Sequence, residues 1–241
     1  MNDLLQVAGN AHGGLSRWNE LKRVKANLSI TGAVFQVKGK SDVLKDVSIE
    51  AELHKERLTT HFNGQGTRTI FEPNRIIVET EGGRRLVDSR DDPRTAFRGH
   101  TRETPWDDLH VAYFSGYALW NYLTIPFLYT YPGFVTEELA PWLENGEQWR
   151  PLKVIVPDSI ASHSRERIAY FGPDGLLRRH AYTVDIMGGA AGLNYATDYR
   201  SVDGIVVPTK RRVYTPDANN QKISEPVLVA IDIRDIAFGA D

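Results

Sequence analysis

The sequence predicts an all-β fold with inserted helices, in which a curved antiparallel sheet, an open half-barrel, wraps around a central aromatic helix. Two observations support this prediction. Most of the chain alternates apolar and polar residues in short segments joined by tight turns, and short links between successive strands require antiparallel pairing. The segment Thr104 to Leu123 is instead apolar on nearly every side at helical spacing, and such a helix must be enclosed.

The N-terminal region, residues 3–21, is predicted to be helical because leucine, valine and tryptophan recur there at helical spacing. Gly13-Gly14 divides it into two short helices. From Val24 the apolar period becomes two, which predicts a strand. Turn residues such as Asn63-Gly64 then separate further predicted strands, at 33–38, 46–54, 56–62, 67–72, 75–80 and 84–89.

The central helix is predicted over residues 105–123, with Thr104 as its N-cap, Pro105 in the first helical position and Asp107 in the capping-box position. Strands after it are predicted at 149–156, 165–171, 175–185, 193–201, 205–214 and 226–237. The glycine-rich run at 188–192 lacks the lysine and the helix start of a phosphate loop, so it is interpreted as a wide strand connection. No linker or repeat divides the chain, and residues 1–241 are predicted to form one domain.

Composition narrows the classes of function. The net charge is -2, from 29 basic and 31 acidic residues that are interspersed, which argues against a nucleic-acid partner. The chain has no cysteine, which excludes disulfides and thiolate chemistry. No apolar run is long enough for a membrane span, and the N-terminus lacks the pattern of a signal peptide, so we expect a cytoplasmic protein.

Four segments carry a resemblance to known proteins: AHGGLSRW (11–18), PWDDLHVAYFSGYALWNYL (105–123), LRRHAYTVD (177–185) and DGIVVPTKRRVY (203–214). They resemble an uncharacterised family of bacterial proteins. The order of elements is also similar to that of the outer-membrane lipoprotein carrier superfamily of the LolA, LolB and RseB type. That resemblance implies a half-closed barrel with helices over its mouth, and an apolar cavity that holds acyl chains or other lipophilic ligands.

Three polar residues of the central helix are candidates for acid–base catalysis: Asp107, Asp108 and His110. Asp107 and His110 are spaced i,i+3 and can touch, and an acid that orients an imidazole is a common way to make a general base. The alternative is structural. Acids in a first helical turn favour the helix dipole, and a histidine on the aromatic side of the helix can be a hydrogen-bonded core residue.

A small lipophilic or aromatic molecule is the expected partner, and no metal or cofactor is predicted. The ligand-binding residues predicted on the helix are Trp106, Tyr113, Tyr117 and Trp120, because bulky rings at helical spacing are expected to border a cavity. On the strands they are His180, Tyr182 and Arg212. Two other functions remain open: an enzyme of specialised metabolism that uses the same cavity, and an interaction module that pairs through a sheet edge.

Overall fold

The computed structural model describes residues 3–83 and 85–240; Arg84, the first residue of a predicted strand, lies outside them. The described helices are α1 (Asp3–Ala11), α2 (Leu15–Glu20), α3 (Ala33–Val37) and α4 (Asp108–Thr124). The described strands are β1 (Arg23–Thr31), β2 (Val47–Glu52), β3 (Arg57–Phe62), β4 (Thr67–Glu72), β5 (Arg75–Thr80), β6 (Leu86–Asp91), β7 (Val135–Glu138), β8 (Trp142–Glu144), β9 (Glu147–Ile155), β10 (Glu166–Phe171), β11 (Leu177–Val184), β12 (Ala190–Val202), β13 (Ile205–Pro216), β14 (Lys222–Ile223) and β15 (Val229–Gly239).

The described strands form one antiparallel sheet that does not close on itself. Its order is β6-β5-β4-β3-β2-β1-β15-β13-β12-β11-β10-β9-β7, with β14 beside β13 and β8 beside β9. The meander from β1 to β6 and the meander from β9 to β13 meet where β15 inserts between β1 and β13. The predicted fold class, an open antiparallel half-barrel around one helix, is confirmed.

The alternating sequence of β1 illustrates why these segments form half-buried strands. Val24, Ala26, Leu28 and Ile30 are buried, whereas the residues between them are exposed or half-buried. Because successive strand residues point to opposite faces, one row of apolar side chains joins the core. The predicted break between the two N-terminal helices at Gly13-Gly14 is also present.

Helix α4 lies inside the curved sheet, and every residue from Leu109 to Thr124 is buried. It packs against β3, β4 and β5, and Gly116 permits the close approach. A Cβ added at Gly116 would lie only 2.5 Å from Cβ of Phe71 on β4. One side of α4 therefore touches the sheet directly, and another side faces the strands β11, β12, β13 and β15 across a gap.

The predicted start of the central helix was wrong by three residues. The helix begins at Asp108 with Asp107 as its N-cap, and Thr104 lies outside it. The Thr104 hydroxyl instead accepts a hydrogen bond from the Thr101 backbone N–H at 2.9 Å, and its carbonyl accepts one from Lys38 at 3.1 Å. These contacts hold Thr104 in the preceding loop.

The strand predicted at 33–38 was also wrong, since residues Ala33–Val37 form helix α3. A short apolar run does not distinguish a strand from a helix by its period. Gly32 has φ 127°, which turns the chain out of β1, and the Ala33 and Val34 N–H groups bond to the carbonyls of Val227 and Leu228. Strands β7, β8 and β14 were not predicted. Among the described residues, no helix combines the length and apolarity that crossing a membrane would need.

Candidate ligand-binding site

An apolar cavity of about 60 Å³ lies between α4 and the strands β11, β12, β13 and β15. The helix lines it with Phe114, Ser115, Ala118, Leu119 and Tyr122. These residues share one face because each lies three or four positions from another member of the set. Ser115 and Ala118 are the small members of this face, so the helix leaves space there. We call this space the inner cavity.

A second cavity, of about 480 Å³, adjoins the inner cavity on the solvent side. Both are lined by Val34 of α3, Leu228, Met187 of the β11–β12 connection, and Ala190 and Ala191 at the start of β12. We call this second space the mouth. Ala190 and Ala191 are exposed, and Val37 at the rim is 43 % exposed. The two spaces therefore form one path from the surface to the interior of the half-barrel.

Two basic residues, Lys38 and Arg102, line the mouth. The Lys38 ammonium is buried and donates to the backbone carbonyls of Thr101, Arg102 and Thr104 at 3.0, 2.8 and 3.1 Å. An ammonium has three N–H donors, so these bonds use all of them and pin the loop before α4 to α3. Burial lowers the pKa of Lys38. The Arg102 side chain is exposed.

A buried polar network forms the closed end of the inner cavity, where Tyr122, His163 and Tyr182 line the wall. The two ring nitrogens of His163 lie 2.9 Å from the Tyr117 hydroxyl and 2.8 Å from the Tyr122 hydroxyl. The Tyr122 hydroxyl is also 2.6 Å from that of Tyr182, whose ring stacks on His163 at 4.3 Å. Burial holds the pKa of His163 well below its usual value, so the imidazole is neutral and offers one donor and one acceptor.

Arg211 lies behind this network and is only 4 % exposed. Its guanidinium lies 4.9 Å from the Tyr122 ring centre, and one terminal nitrogen donates to the Tyr122 carbonyl at 3.0 Å. The other terminal nitrogen, Nη1, has no hydrogen-bond partner in the described part of the chain. Burial lowers the pKa of Arg211, because a desolvated cation is unfavourable.

The predicted acid–base residues lie together at the N-terminus of α4, away from the inner cavity. The Asp107 carboxylate accepts from the His110 backbone N–H at 2.7 Å, and the His110 ring reaches back to the Asp107 N–H at 3.2 Å. This is a capping box. Asp107 also binds Arg90 at 2.6 Å, and Asp108, with a side chain 75 % exposed, pairs with Lys40 at 2.6 Å. Each of the three residues therefore has a local structural partner.

Of the seven predicted ligand-binding residues, Tyr182 lines the inner cavity. The other six, all among the described residues, line neither the inner cavity nor the mouth. Tyr117 and His180 belong to the buried region behind the wall; Trp106, Tyr113 and Trp120 pack in the core; and Arg212 points to the outer face of the sheet. Arg212 binds Asp232 there at 2.7 Å.

Sequence reasoning missed the residues that leave space on α4. It selected the bulky rings, whereas the cavity lies beside the small residues Ser115 and Ala118. The sequence does contain a signal: the small residues Ser115 and Ala118 interrupt the aromatic residues on one face of the helix. It also missed Arg211, although Arg211 shares its strand parity with the apolar residues Ile205, Val207 and Val213.

Solved structures of the same fold span nearly the whole chain. A DUF1329 family protein from Desulfovibrio piger matches with a TM-score of 0.56 at 9% identity, over 98% of this chain and 91% of that chain. A domain from Vibrio parahaemolyticus named for outer membrane lipoprotein sorting gives a TM-score of 0.53 at 10% identity, over 97% and 91%. A LolA superfamily protein from Nitrosomonas europaea gives 0.53 at 8% identity, over 97% and 91%.

No protein-family model and no curated protein matches the chain. At these identities the structural likeness concerns the fold. The resemblance to the LolA superfamily that the sequence suggested is therefore confirmed as a shared fold.

Proposed function

We propose that this protein binds a lipophilic small molecule, with the apolar part of the ligand in the inner cavity and the remainder in the mouth. The observation that carries the proposal is the inner cavity itself, an apolar space inside the half-barrel that joins a wider opening at the surface. Removing apolar surface from water contributes a favourable free energy of about 25 cal/mol per Å². An apolar ligand of suitable shape would gain that free energy here.

The dimensions favour a slender ligand. The inner cavity holds about 60 Å³, whereas the mouth holds about 480 Å³, which is within the usual range of small-molecule sites. An acyl chain or a narrow aromatic molecule could enter the inner cavity and fill the mouth at the same time. The neighbours named for the LolA superfamily and for lipoprotein sorting support a ligand of this class.

The experiment is a titration with the neutral lipophilic dye phenylnaphthylamine, whose fluorescence increases in apolar surroundings. Ala191→Trp places a large side chain where the inner cavity meets the mouth, at an exposed position that tolerates it. Ala218→Trp makes the same change at an exposed turn that lines neither space and serves as the matched control.

Wild type and Ala218→Trp should bind the dye with equal affinity. Ala191→Trp should bind at least about tenfold more weakly, a loss of about 1.4 kcal/mol. Equal binding by all three proteins, or no saturable binding by any, would contradict the proposal.

A further inference from the structure

Among the described residues, the buried Arg211 guanidinium has no anionic partner, and its Nη1 has no hydrogen-bond partner. The titratable groups that bear on it most are the tyrosines 122, 129, 182 and 199. Within the described residues, no carboxylate forms an ion pair with it. A buried charge is strongly unfavourable unless it is paired and hydrogen-bonded.

Other polar atoms near Arg211 are also unpartnered in the described part of the chain. They are Nδ1 of His180, Nη2 of Arg167, and both amide atoms of the Asn194 side chain, which forms no hydrogen bond of ordinary geometry there although its amide bears on the Tyr122 and Tyr182 hydroxyls. All three side chains are at least nine-tenths buried. In the sheet His180 pairs with Asn194, and Ala196, two residues further along β12, pairs with Arg211. These atoms therefore come from neighbouring strands of one region, in which hydrogen-bond donors outnumber acceptors.

This region borders the closed end of the inner cavity. Arg211 and Val213 share a face of β13 because they are two residues apart, and Val213 lines the cavity. Tyr122, whose ring contacts the guanidinium, lines it too, as does Tyr182. The apolar path from the mouth therefore ends at the Tyr122 and Tyr182 side chains, and the Arg211 guanidinium lies behind the Tyr122 ring.

We infer that the ligand is a long-chain carboxylate, and that its carboxylate group enters first and binds at the closed end, where Arg211 supplies the positive charge. The inference rests on the proposed function and adds the chemical class and the orientation of the ligand. A guanidinium can bind a carboxylate through two parallel N–H bonds. To reach Arg211, an incoming carboxylate would pass the Tyr122 and Tyr182 side chains, whose hydroxyls contact each other and, for Tyr122, also His163.

The opposite orientation would place the carboxylate at the mouth, where the two basic lining residues are Lys38 and Arg102. The Lys38 ammonium has no free donor, because three carbonyls occupy it. Arg102 is exposed, and ion pairs in water contribute little. Arg211 is already desolvated, so a carboxylate that reaches it meets a donor without competing water.

The test compares dodecanoate with dodecanol, which have the same chain and differ in head group, as competitors of phenylnaphthylamine at neutral pH. Arg211→Met removes the buried charge and keeps an apolar side chain. Lys210→Met is its control, because Lys210 is the preceding residue and points outward to Asp198 at 2.7 Å. Arg102→Gln tests the mouth, and Arg98→Gln is its control on the same loop.

Wild type should bind dodecanoate at least about tenfold more tightly than dodecanol, a difference of about 1.4 kcal/mol. Arg211→Met should lose that preference, bind dodecanol as wild type does, and melt at a higher temperature without ligand, since an unpaired buried charge is gone. Lys210→Met, Arg102→Gln and Arg98→Gln should keep the preference. If Arg211→Met fails to fold, two results test the inference: the preference of wild type for dodecanoate, and its retention in Arg102→Gln.

Equal affinity of wild type for the acid and the alcohol would overturn the inference and leave the proposed function standing. Loss of the preference in Arg102→Gln, with retention in Arg211→Met, would overturn it in favour of the opposite orientation. Failure of the dye and both competitors to bind would overturn the proposed function itself.

Discussion

The hydroxyls of Tyr122 on α4 and Tyr182 on β11 lie 2.6 Å apart and join the central helix to the sheet at the closed end of the inner cavity. The two residues are not equivalent. Tyr122 also contacts Nε2 of His163 at 2.8 Å, whereas Tyr182 stacks on the His163 ring. The helix residue is therefore the centre of the network.

Removal of each hydroxyl tests this difference. We expect Tyr122→Phe to lower the free energy of unfolding by about 2 kcal/mol, because it removes the hydrogen bonds of both His163 Nε2 and the Tyr182 hydroxyl. Tyr182→Phe should lower it by about 1 kcal/mol, because Tyr122 retains His163. Urea unfolding of both variants and of the double variant measures the effects. Equal single effects that add in the double variant would contradict the network.

Glycine-to-alanine substitutions should have opposite effects in two helices. Alanine normally stabilises a helix interior by about 1 kcal/mol relative to glycine. In the described part of the chain, no atom outside the neighbouring residues and the backbone of α1 lies within 4 Å of a Cβ added at Gly9, so Gly9→Ala should stabilise. Gly116→Ala should instead destabilise by about 1–3 kcal/mol, because its Cβ would overlap Phe71. Thermal unfolding measures both, and a stabilised Gly116→Ala would show that α4 does not approach β4 this closely.

Glu56 should make the protein less stable as the pH rises. Burial raises its pKa to about 8, from 4.5 for a free side chain. Between those values the folded protein holds a proton that the unfolded chain has released, so the free energy of unfolding falls with increasing pH. Glu56→Gln removes this titration. The buried histidines are common to both proteins, so their contribution to the pH dependence of stability cancels in the comparison.

We therefore expect Glu56→Gln to gain stability over wild type, by about 2 kcal/mol or more, between about pH 5 and pH 8. Denaturant unfolding across that range measures the difference. Parallel pH profiles of the two proteins would show that Glu56 is not buried as the structure has it.

The capping box predicts unequal roles for two adjacent acids. Asp107→Ala removes the N-cap of α4 and the Arg90 ion pair, so it should destabilise by about 1–2 kcal/mol. Asp108→Ala removes an exposed pair with Lys40 and should change stability by less than about 1 kcal/mol. Chemical denaturation of the two variants measures both values. Indistinguishable stabilities would leave Asp107 free for the acid–base role that remains a hypothesis for the Asp107–His110 pair.

The sequence predicts the layout of this fold because strand alternation and the all-round apolar helix are local patterns. The alternation of β1 and the apolar sequence of α4 are examples. Boundaries are less predictable where a side chain has two possible uses. The Thr104 hydroxyl could cap a helix, but it accepts a hydrogen bond from the Thr101 N–H instead. The N-cap of α4 is Asp107, which accepts from the His110 N–H.

The site is harder to predict because it depends on which face of α4 meets the sheet. The sequence of a helix that is apolar all round does not indicate which face that is. In the structure, the close approach of Gly116 to Phe71 determines the face that meets the sheet. Strand β12 adds a second difficulty. Asp198 has φ 60°, and the next residue, Tyr199, packs against the core. Strict alternation would place Tyr199 on the other face.

The most direct test of the central claim is the detection of nuclear Overhauser effects between bound dodecanoate and the protein's methyl groups. If the ligand occupies the inner cavity, its chain protons should show cross-peaks to methyl groups of Ala118, Leu119, Val213 and Ile231, which line that cavity. The methyl groups of Val135 and Leu143, exposed elsewhere, should show none. Cross-peaks confined to such exposed residues, or no cross-peaks at saturating ligand, would contradict the claim that this protein binds a lipophilic molecule inside its half-barrel.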